Sequence, residues 1–258
     1  MVSRKDVLCP KNTIPMENTR VSFNHAVMGV SVRFIEGKSP EIQVVDYIND
    51  EGKVEMRFPG GTVQFVDIYE SVENYINGRD DIDSRSSLLW LPLTISDFDK
   101  KFHSEVNLLE SRHEKNMHLE SYLTKILEKL QSSVQSGELS EEDLSMICLN
   151  SRLATIKREF KEETDASKIG DWICVSQSLA GDHQRGGYLS VNTEAPEEFI
   201  GSGDSDIKRS YWISVKLVEN LISSKHRNYL YSAVREGIKE NVHPRFKELA
   251  DFCRATNH

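Results

Sequence analysis

The chain has 258 residues, of which 38% are hydrophobic, and its 32 basic and 41 acidic residues leave a net charge of −9. This length suits one large domain or two ordinary ones, and the acidic balance is a poor match for a protein that binds nucleic acid. There is no run of 18 apolar residues and no apolar stretch of signal-peptide length, so the sequence predicts a cytoplasmic protein without membrane association. The cysteines lack metal-finger or redox spacing, which predicts reduced, mostly buried thiols at Cys9, Cys148, Cys174 and Cys253.

The first part of the chain, residues 1–67, predicts β-strands. Residues 21–34 are rich in β-branched and apolar side chains, which is typical of one or two strands. A turn follows at residues 37–40, and residues 42–48 predict the next strand. After a second turn, residues 54–58 predict a further strand that leads into a proline and two glycines.

Residues 68–148 have a different character and predict a mostly helical insertion. Ser96 is expected to be the N-cap of one helix, and residues 105–134 carry apolar side chains at helical spacing. Ser140 followed by Asp143 is the pattern of a capping box at the start of the next helix.

Strands return in the last part of the chain, residues 149–258. Residues 172–175 and 188–191 predict strands, residues 212–215 predict a short strand or a turn, and residues 228–253 carry helical spacing. The order of strands, helical segment, strands and closing helix predicts a mixed α/β domain with helices on the faces of its sheet.

The most informative segment for function is residues 158–163, which read Arg-Glu-Phe-Lys-Glu-Glu. Residues three and four apart are neighbours on a helix, so Glu159, Glu162 and Glu163 should share one face. Like charges on one face repel, and a hard divalent cation with oxygen ligands would offset that repulsion. A solvated acidic helix with ordinary salt bridges is the alternative. On another face of the helix, the spacing predicts an apolar stripe through Leu149, Leu153, Ile156 and Phe160.

A second segment ends the strand at residues 54–58 with Pro59, Gly60 and Gly61. Glycines let a backbone approach a ligand or metal closely. Taken alone, this segment predicts only a turn.

Together the two segments resemble the Nudix hydrolase family, whose signature is G-x5-E-x7-R-E-U-x-E-E-x-G-U with U a bulky apolar residue. Gly61 matches the opening glycine, and residues 158–163 match R-E-U-x-E-E. The strands before Gly61 are similar to those that precede the family motif, and Trp212 lies in a segment similar to the family's tryptophan turn. The resemblance covers about two-thirds of the chain.

Several positions depart from the family pattern. Six positions after Gly61 stands Asp67, whereas eight positions before Arg158 stands Asn150, 83 positions further along the chain. In the family a single glutamate lies both six positions after the glycine and eight positions before the arginine. The two positions are different residues here, which indicates that an insertion splits the motif. The closing glycine is replaced by Asp165. The family often has a further acidic residue on a later loop, and five candidates remain open: Glu194, Glu197, Glu198, Asp204 and Asp206.

The resemblance implies a Nudix-type α/β/α sandwich with a mixed sheet, formed by residues 1–67 and 149–258 and interrupted by the helical insertion 68–148. It also implies a metal-dependent pyrophosphohydrolase that cleaves the diphosphate linkage of a small nucleoside diphosphate derivative. The implied metal is Mg²⁺ or Mn²⁺, with ligands from Glu159, Glu162, Glu163 and the backbone carbonyl of Gly60 or Gly61. Arg158 and Glu159 are the implied catalytic residues, Glu159 being either a ligand or the base.

Other interpretations of the sequence remain open. The same fold could be a non-catalytic module that binds a nucleotide or a protein, with the insertion as the surface for a protein partner. The insertion could also cover the catalytic cleft as a lid. His183 and Arg185 could contact phosphate, although such polar clusters usually form surface loops.

Overall fold

The computed structural model describes residue 23 and residues 25–49, 51–78, 90–109, 111–180, 183–191, 193–201 and 206–250. Within these residues the chain is a mixed α/β protein. The strands are β1 His25–Arg33, β2 Glu41–Ile48, β3 Val54–Arg57, β4 Trp172–Ala180, β5 His183–Val191, β6 Glu198–Ile200 and β7 Ile207–Ser214. The helices are α1 Phe65–Asn77, α2 Trp90–Val106, α3 Arg112–Gln135, α4 Glu141–Thr164, α5 Val215–Leu221 and α6 Ser224–Lys239, followed by a 3-10 helix at Pro244–Leu249.

The seven strands form one sheet in the order β4-β5-β1-β2-β7-β6, with β3 paired to β2. The pair β1–β5 is parallel and every other pair is antiparallel, so the sheet is mixed, as the sequence predicts. Residues 21, 22 and 24, included in the first predicted strand, lie outside the described residues. Parallel neighbours require a long crossover connection, and here it contains the whole helical segment.

Both faces of the sheet are covered by helices, because successive side chains of a strand point to opposite faces. On β1, Val27 packs with Ile156 and Phe160 of α4. Val30 and Val32 of the same strand point to the other face, where they pack against α5, α6 and the 3-10 helix. The catalytic segment expected from the sequence therefore lies on a helix that is fixed to the centre of the sheet.

The helices between β3 and β4 share a core of their own. Its buried members come from α1, α2, α3 and the first half of α4, and they include Ile68, Leu91, Ile126, Leu130 and Ile147. The helical character expected for residues 68–148 is confirmed for the described part of that segment. The core also takes in Val63 and Phe65, which precede the expected boundary.

Two helix boundaries in this segment differ from expectation. Ser96 is not an N-cap, because α2 begins at Trp90 and runs through it. The expected single helix over residues 105–134 is two helices, since α2 ends at Val106 and Ser111 caps α3 by accepting a hydrogen bond from Glu114 N–H at 3.1 Å. The capping box of Ser140 and Asp143 is confirmed.

Helix α4 is a single helix of 24 residues that joins the helical segment to the sheet. It runs without a break through residue 149, where the second part of the sheet domain was expected to begin. Its first half contributes Leu144 and Ile147 to the helical core, and its second half contributes Ile156 and Phe160 to the sheet core. At its end, Asp165 adopts the left-handed conformation at φ 53°, which glycine favours and aspartate tolerates, so the helix ends there without a glycine.

Of the helices described, none combines the length and the apolar character needed to cross a membrane. Cys148 and Cys174 are buried, as expected for structural thiols, whereas Cys9 and Cys253 lie outside the described residues.

Candidate functional site

The two glycines after β3 lie directly against the acidic face of α4. The backbone N–H of Gly60 donates a hydrogen bond to Glu163 Oε2 at 2.9 Å, although the two residues are 103 positions apart. A Cβ atom at Gly61 would overlap the carboxylate of Glu159. The structure therefore brings together the two segments that the sequence pairs, and a side chain at position 61 would displace the carboxylate of Glu159.

The backbone around the glycines has a defined direction. The carbonyls of Pro59 and Gly61 accept hydrogen bonds from β1, at Gly29 N–H and Val27 N–H, with lengths of 2.9 and 2.8 Å. In an extended segment, one residue's N–H and C=O point to the same side and the next residue's point to the other. The Gly60 carbonyl therefore points toward Glu163, which favours Gly60 over Gly61 as a source of a carbonyl ligand.

Glu163 is the most buried of the three glutamates, with 9% of its side chain exposed. Besides the Gly60 N–H, it accepts a hydrogen bond from Arg57 Nη2 at 3.1 Å. Burial raises the pKa of Glu163 to about 7, with repulsion from Glu159 adding to it and the Arg57 charge opposing it. Since a carboxylate offers about four acceptor positions, the two hydrogen bonds leave capacity for a further ligand.

Glu159 and Arg158 form the centre of the site. Glu159 is 13% exposed, and its Oε1 lies 2.9 Å from Arg158 Nη2. Burial raises the pKa of Glu159, the charge of Arg158 lowers it, and the nearby Glu162 and Asp67 raise it again, so that it lies above the ordinary value. A buried carboxylate that binds protons more tightly than usual is suited to accept one.

Arg158 connects the site to α1. Its guanidinium donates to both carboxylate oxygens of Asp67 at 3.0 Å and to Glu162 Oε2 at 3.1 Å. Burial lowers the pKa of Arg158, but the Asp67 hydrogen bonds and the charges of Glu159, Asp67 and Glu162 outweigh burial and raise it. Arg158 therefore remains charged and holds the surrounding carboxylates in place.

Of the two positions that the spacing leaves open for a further carboxylate, Asp67 is the one that lies beside Arg158. It is 2% exposed and also accepts hydrogen bonds from Thr155 Oγ1 at 2.9 Å and from Gln64 N–H at 2.8 Å. The other candidate, Asn150, lies eight residues before Arg158 on the same helix, about 12 Å away along the axis. Asp67 is therefore the carboxylate that pairs with the motif arginine, and its contacts are structural.

Glu162 differs from its neighbours because 59% of its side chain is exposed. With Glu159 and Glu163 held by arginines, no three His, Cys, Asp or Glu side chains are grouped as metal ligands within the described part of the chain. The donor set still suits a hard cation, because it consists of carboxylate oxygens and the Gly60 carbonyl. Glu162 is less constrained than Glu159 and Glu163, since among the described residues it makes one ion pair, with Arg158, at an exposed position.

The later acidic candidates divide clearly. Asp206 lines the same cleft as the three glutamates. Glu194 pairs with Lys168, Glu197 with Arg33 and Glu198 with Arg209, in ion pairs of the outer sheet and its loops. Asp204 lies outside the described residues. Asp206 is thus the candidate whose position fits the site.

The cleft beside the glutamates has a volume of about 950 Å³. One wall consists of the glutamates, Gly60, Gly61, Arg57 and Asp206. The other wall comes from the helical segment and includes Asp99, Phe102, His103, Val106, Lys115, Asn116 and Leu119. His226 of α6, whose ring stacks on Phe58 at 5.8 Å, completes the lining near the strands.

The sequence did not identify Arg57 or the cleft residues of the helical segment as part of the site. Arg57 is held over the Tyr47 ring at 3.5 Å, a contact across the β2–β3 pair that a strand alternation could have suggested. Arg185, which was considered as a phosphate contact, is not among the residues that line the cleft in the described chain. The side chain of His183 lies outside the described residues.

No protein-family model matches this chain, and none of the curated proteins matches its sequence.

Proposed function

We propose that the chain is a Nudix-type, metal-dependent hydrolase that cleaves the diphosphate linkage of a small nucleoside diphosphate derivative. The observation that carries this proposal is the contact between the two halves of the split motif. The Gly60 N–H binds Glu163 and Gly61 makes room for Glu159, so one cleft contains the glycines, the glutamates and an arginine.

Mg²⁺ or Mn²⁺ is the proposed cofactor, with Glu159, Glu162, Glu163 and the Gly60 carbonyl as its candidate ligands. The raised pKa values of Glu159 and Glu163 show that burial disfavours their charged forms, and a cation beside them would favour those forms again. When bound, such a metal lowers the pKa of a coordinated water and offsets negative charge on the departing phosphate.

The protein's own residues would divide the remaining tasks. Attack of water forms one new P–O bond and breaks the bridging P–O bond, and Glu159 would take the water proton. Arg57, which lines the cleft beside Glu163, can donate to a phosphate oxygen. Arg158 would act by positioning Glu159 and Glu162, because it contacts both and is anchored by Asp67.

A binding module without hydrolysis is the second candidate. It is favoured by the arginines that already neutralise the carboxylates, since Glu163 pairs with Arg57 and Glu159 with Arg158. Such a module would bind a nucleotide or a protein partner through the same cleft and helical wall.

A screen of nucleoside diphosphate derivatives with Mg²⁺ and Mn²⁺, measuring released phosphate products, separates the two candidates. We expect metal-dependent hydrolysis by the wild type and a loss of at least about a hundredfold in Glu162→Gln, since removing groups that merely support metal ligands already costs ten- to hundredfold. Glu142→Gln, an exposed change on the first turn of the same helix, should retain full activity. Binding without turnover, or equal activity in both variants, would reject the hydrolase.

A further inference from the structure

The wall of the cleft formed by the helical segment, called the helical wall, carries apolar and amide side chains that have no role in cleaving a diphosphate. We propose that this wall is the binding site for the base of a nucleoside diphosphate derivative. The inference rests on the proposed function and adds where the part of the substrate beyond the diphosphate binds.

The wall offers apolar surface to the cleft. Phe102 and Val106 on α2 and Leu119 on α3 are half-buried, and Val66 at the start of α1 is 53% exposed; all four line the cleft. Apolar area that faces water in a cleft gains free energy when a ligand covers it. An inorganic phosphate or pyrophosphate has nothing to cover these side chains.

Phe102 packs against three other rings. Its centroid lies 5.5 Å from Phe65, 6.0 Å from His118 in a stacked arrangement and 6.4 Å from Tyr122. His118 Nε2 is in turn 2.6 Å from Glu105 Oε2, which joins α3 to α2. An aromatic ring fixed before the ligand arrives loses little entropy on binding and suits a flat partner.

Polar groups lie one helical turn from the apolar surface. Lys115 and Asn116 are exposed, line the cleft and precede Leu119 by four and three residues, so they share its face of α3. An asparagine amide presents both a donor and an acceptor, which matches the mixed edge of a nucleobase. The lysine ammonium adds donors for carbonyl or phosphate oxygens.

A nucleobase uses both features of this wall. Its face can cover Phe102, Val106 and Leu119 while its edge reaches Asn116. A lipid chain would cover the apolar side chains but has no polar edge for the amide of Asn116. Since the same cleft continues to Glu159 and Glu163, one ligand can place its diphosphate there and its base on the helical wall.

Calorimetric titration in Mg²⁺ with ADP, GDP, CDP, UDP and inorganic pyrophosphate tests this assignment, because these ligands share the diphosphate and differ in the nucleoside. We expect at least one nucleoside diphosphate to bind the wild type more tightly than pyrophosphate does. Phe102→Ala should weaken that binding about tenfold, as the loss of a stacking ring does, and leave pyrophosphate unchanged. Asn116→Ala should reduce the preference among the four bases.

Phe98→Ala is the matched control, because Phe98 is on the same helix and packs on the same Tyr122 at 5.4 Å without lining the cleft. It should bind all five ligands as the wild type does. If Phe102→Ala does not fold, Leu119→Gln replaces it, since that side chain is only half-buried and should again weaken nucleoside diphosphates selectively.

The outcomes distinguish this assignment from the proposed function. If pyrophosphate binds but no nucleoside diphosphate binds more tightly, the base site is wrong and the diphosphate site stands. Equal effects of Phe102→Ala and Phe98→Ala on nucleotide binding also reject the base site. If neither pyrophosphate nor any nucleotide binds in Mg²⁺, the proposed function fails and the base site fails with it.

Discussion

The two walls of the cleft are built by different physical means. On the sheet side, buried carboxylates are held by Arg57 and Arg158 at distances near 3 Å, and the backbone of Gly60 takes part. On the helical side, packed rings and aliphatic chains form a surface with a few exposed polar groups. Buried ion pairs depend on each partner being present, whereas apolar packing tolerates small changes. The sheet wall should therefore be the more sensitive of the two to single substitutions.

The largest expected effect follows from removing the Asp67 charge. Asp67→Asn leaves Arg158 without its bidentate partner in a buried position, and we expect a loss of about 3 kcal/mol in unfolding free energy. This is at the low end for breaking a buried pair, because Glu159 and Glu162 still balance part of the charge. Urea unfolding followed by far-UV circular dichroism measures it.

Glu70→Gln on the same helix is the control for that measurement, since Glu70 is exposed. It should change stability by no more than about 0.5 kcal/mol. Equal losses in the two variants would show that the Asp67–Arg158 pair does not support the sheet wall.

An intermediate effect is expected from the neighbouring glycines, which should fail in different ways. A Cβ at Gly60 would overlap the backbone carbonyl of Val27, so Gly60→Ala must shift a strand and should cost about 1 to 3 kcal/mol of stability. A Cβ at Gly61 meets only the end of the Glu159 side chain, which can rotate away. Gly61→Ala should therefore stay close to wild-type stability and lose metal-dependent hydrolysis.

Thermal unfolding and phosphate release, measured on both glycine variants, check this contrast. A stable and fully active Gly61→Ala protein would mean that the position of Glu159 is unimportant. That result would argue against its role as ligand or base.

The smallest effect is expected behind the helical wall, at Tyr122, which is buried and packs on Phe102. Tyr122 donates a hydrogen bond to Glu105 Oε2 at 2.8 Å, and burial together with this contact raises the pKa of Tyr122 to about 12, so it remains a neutral donor near pH 7. Tyr122→Phe removes the hydroxyl and keeps the ring that packs on Phe102. We expect a loss of about 1 kcal/mol or less in urea unfolding, because Glu105 keeps His118 and solvent as partners. A loss as large as that of Asp67→Asn would contradict the difference between the walls.

The sequence by itself was sufficient for most of the local structure. Runs of β-branched and apolar residues predicted β1 and β2 and parts of β4 and β5, and the capping pattern at Ser140 marked the start of α4 correctly. It failed at Ser96, because a serine inside a helix cannot be told from an N-cap serine by its identity alone. It also failed at the break after Val106, because a short interruption between two helices hardly disturbs the periodic pattern of apolar residues.

Short-range spacing placed Glu159, Glu162 and Glu163 on one helix, and helix geometry alone determines that they are neighbours. Whether Asp67 or Asn150 pairs with Arg158 was decided only by the tertiary structure, because long-range folding brings α1 beside α4. The same holds for Asp206, Arg57 and the helical wall, which reach the cleft from distant parts of the chain. Spacing constrains what lies within a turn or two of a helix or strand, while contacts between elements depend on how their apolar faces pack, and that information is spread over the whole sequence.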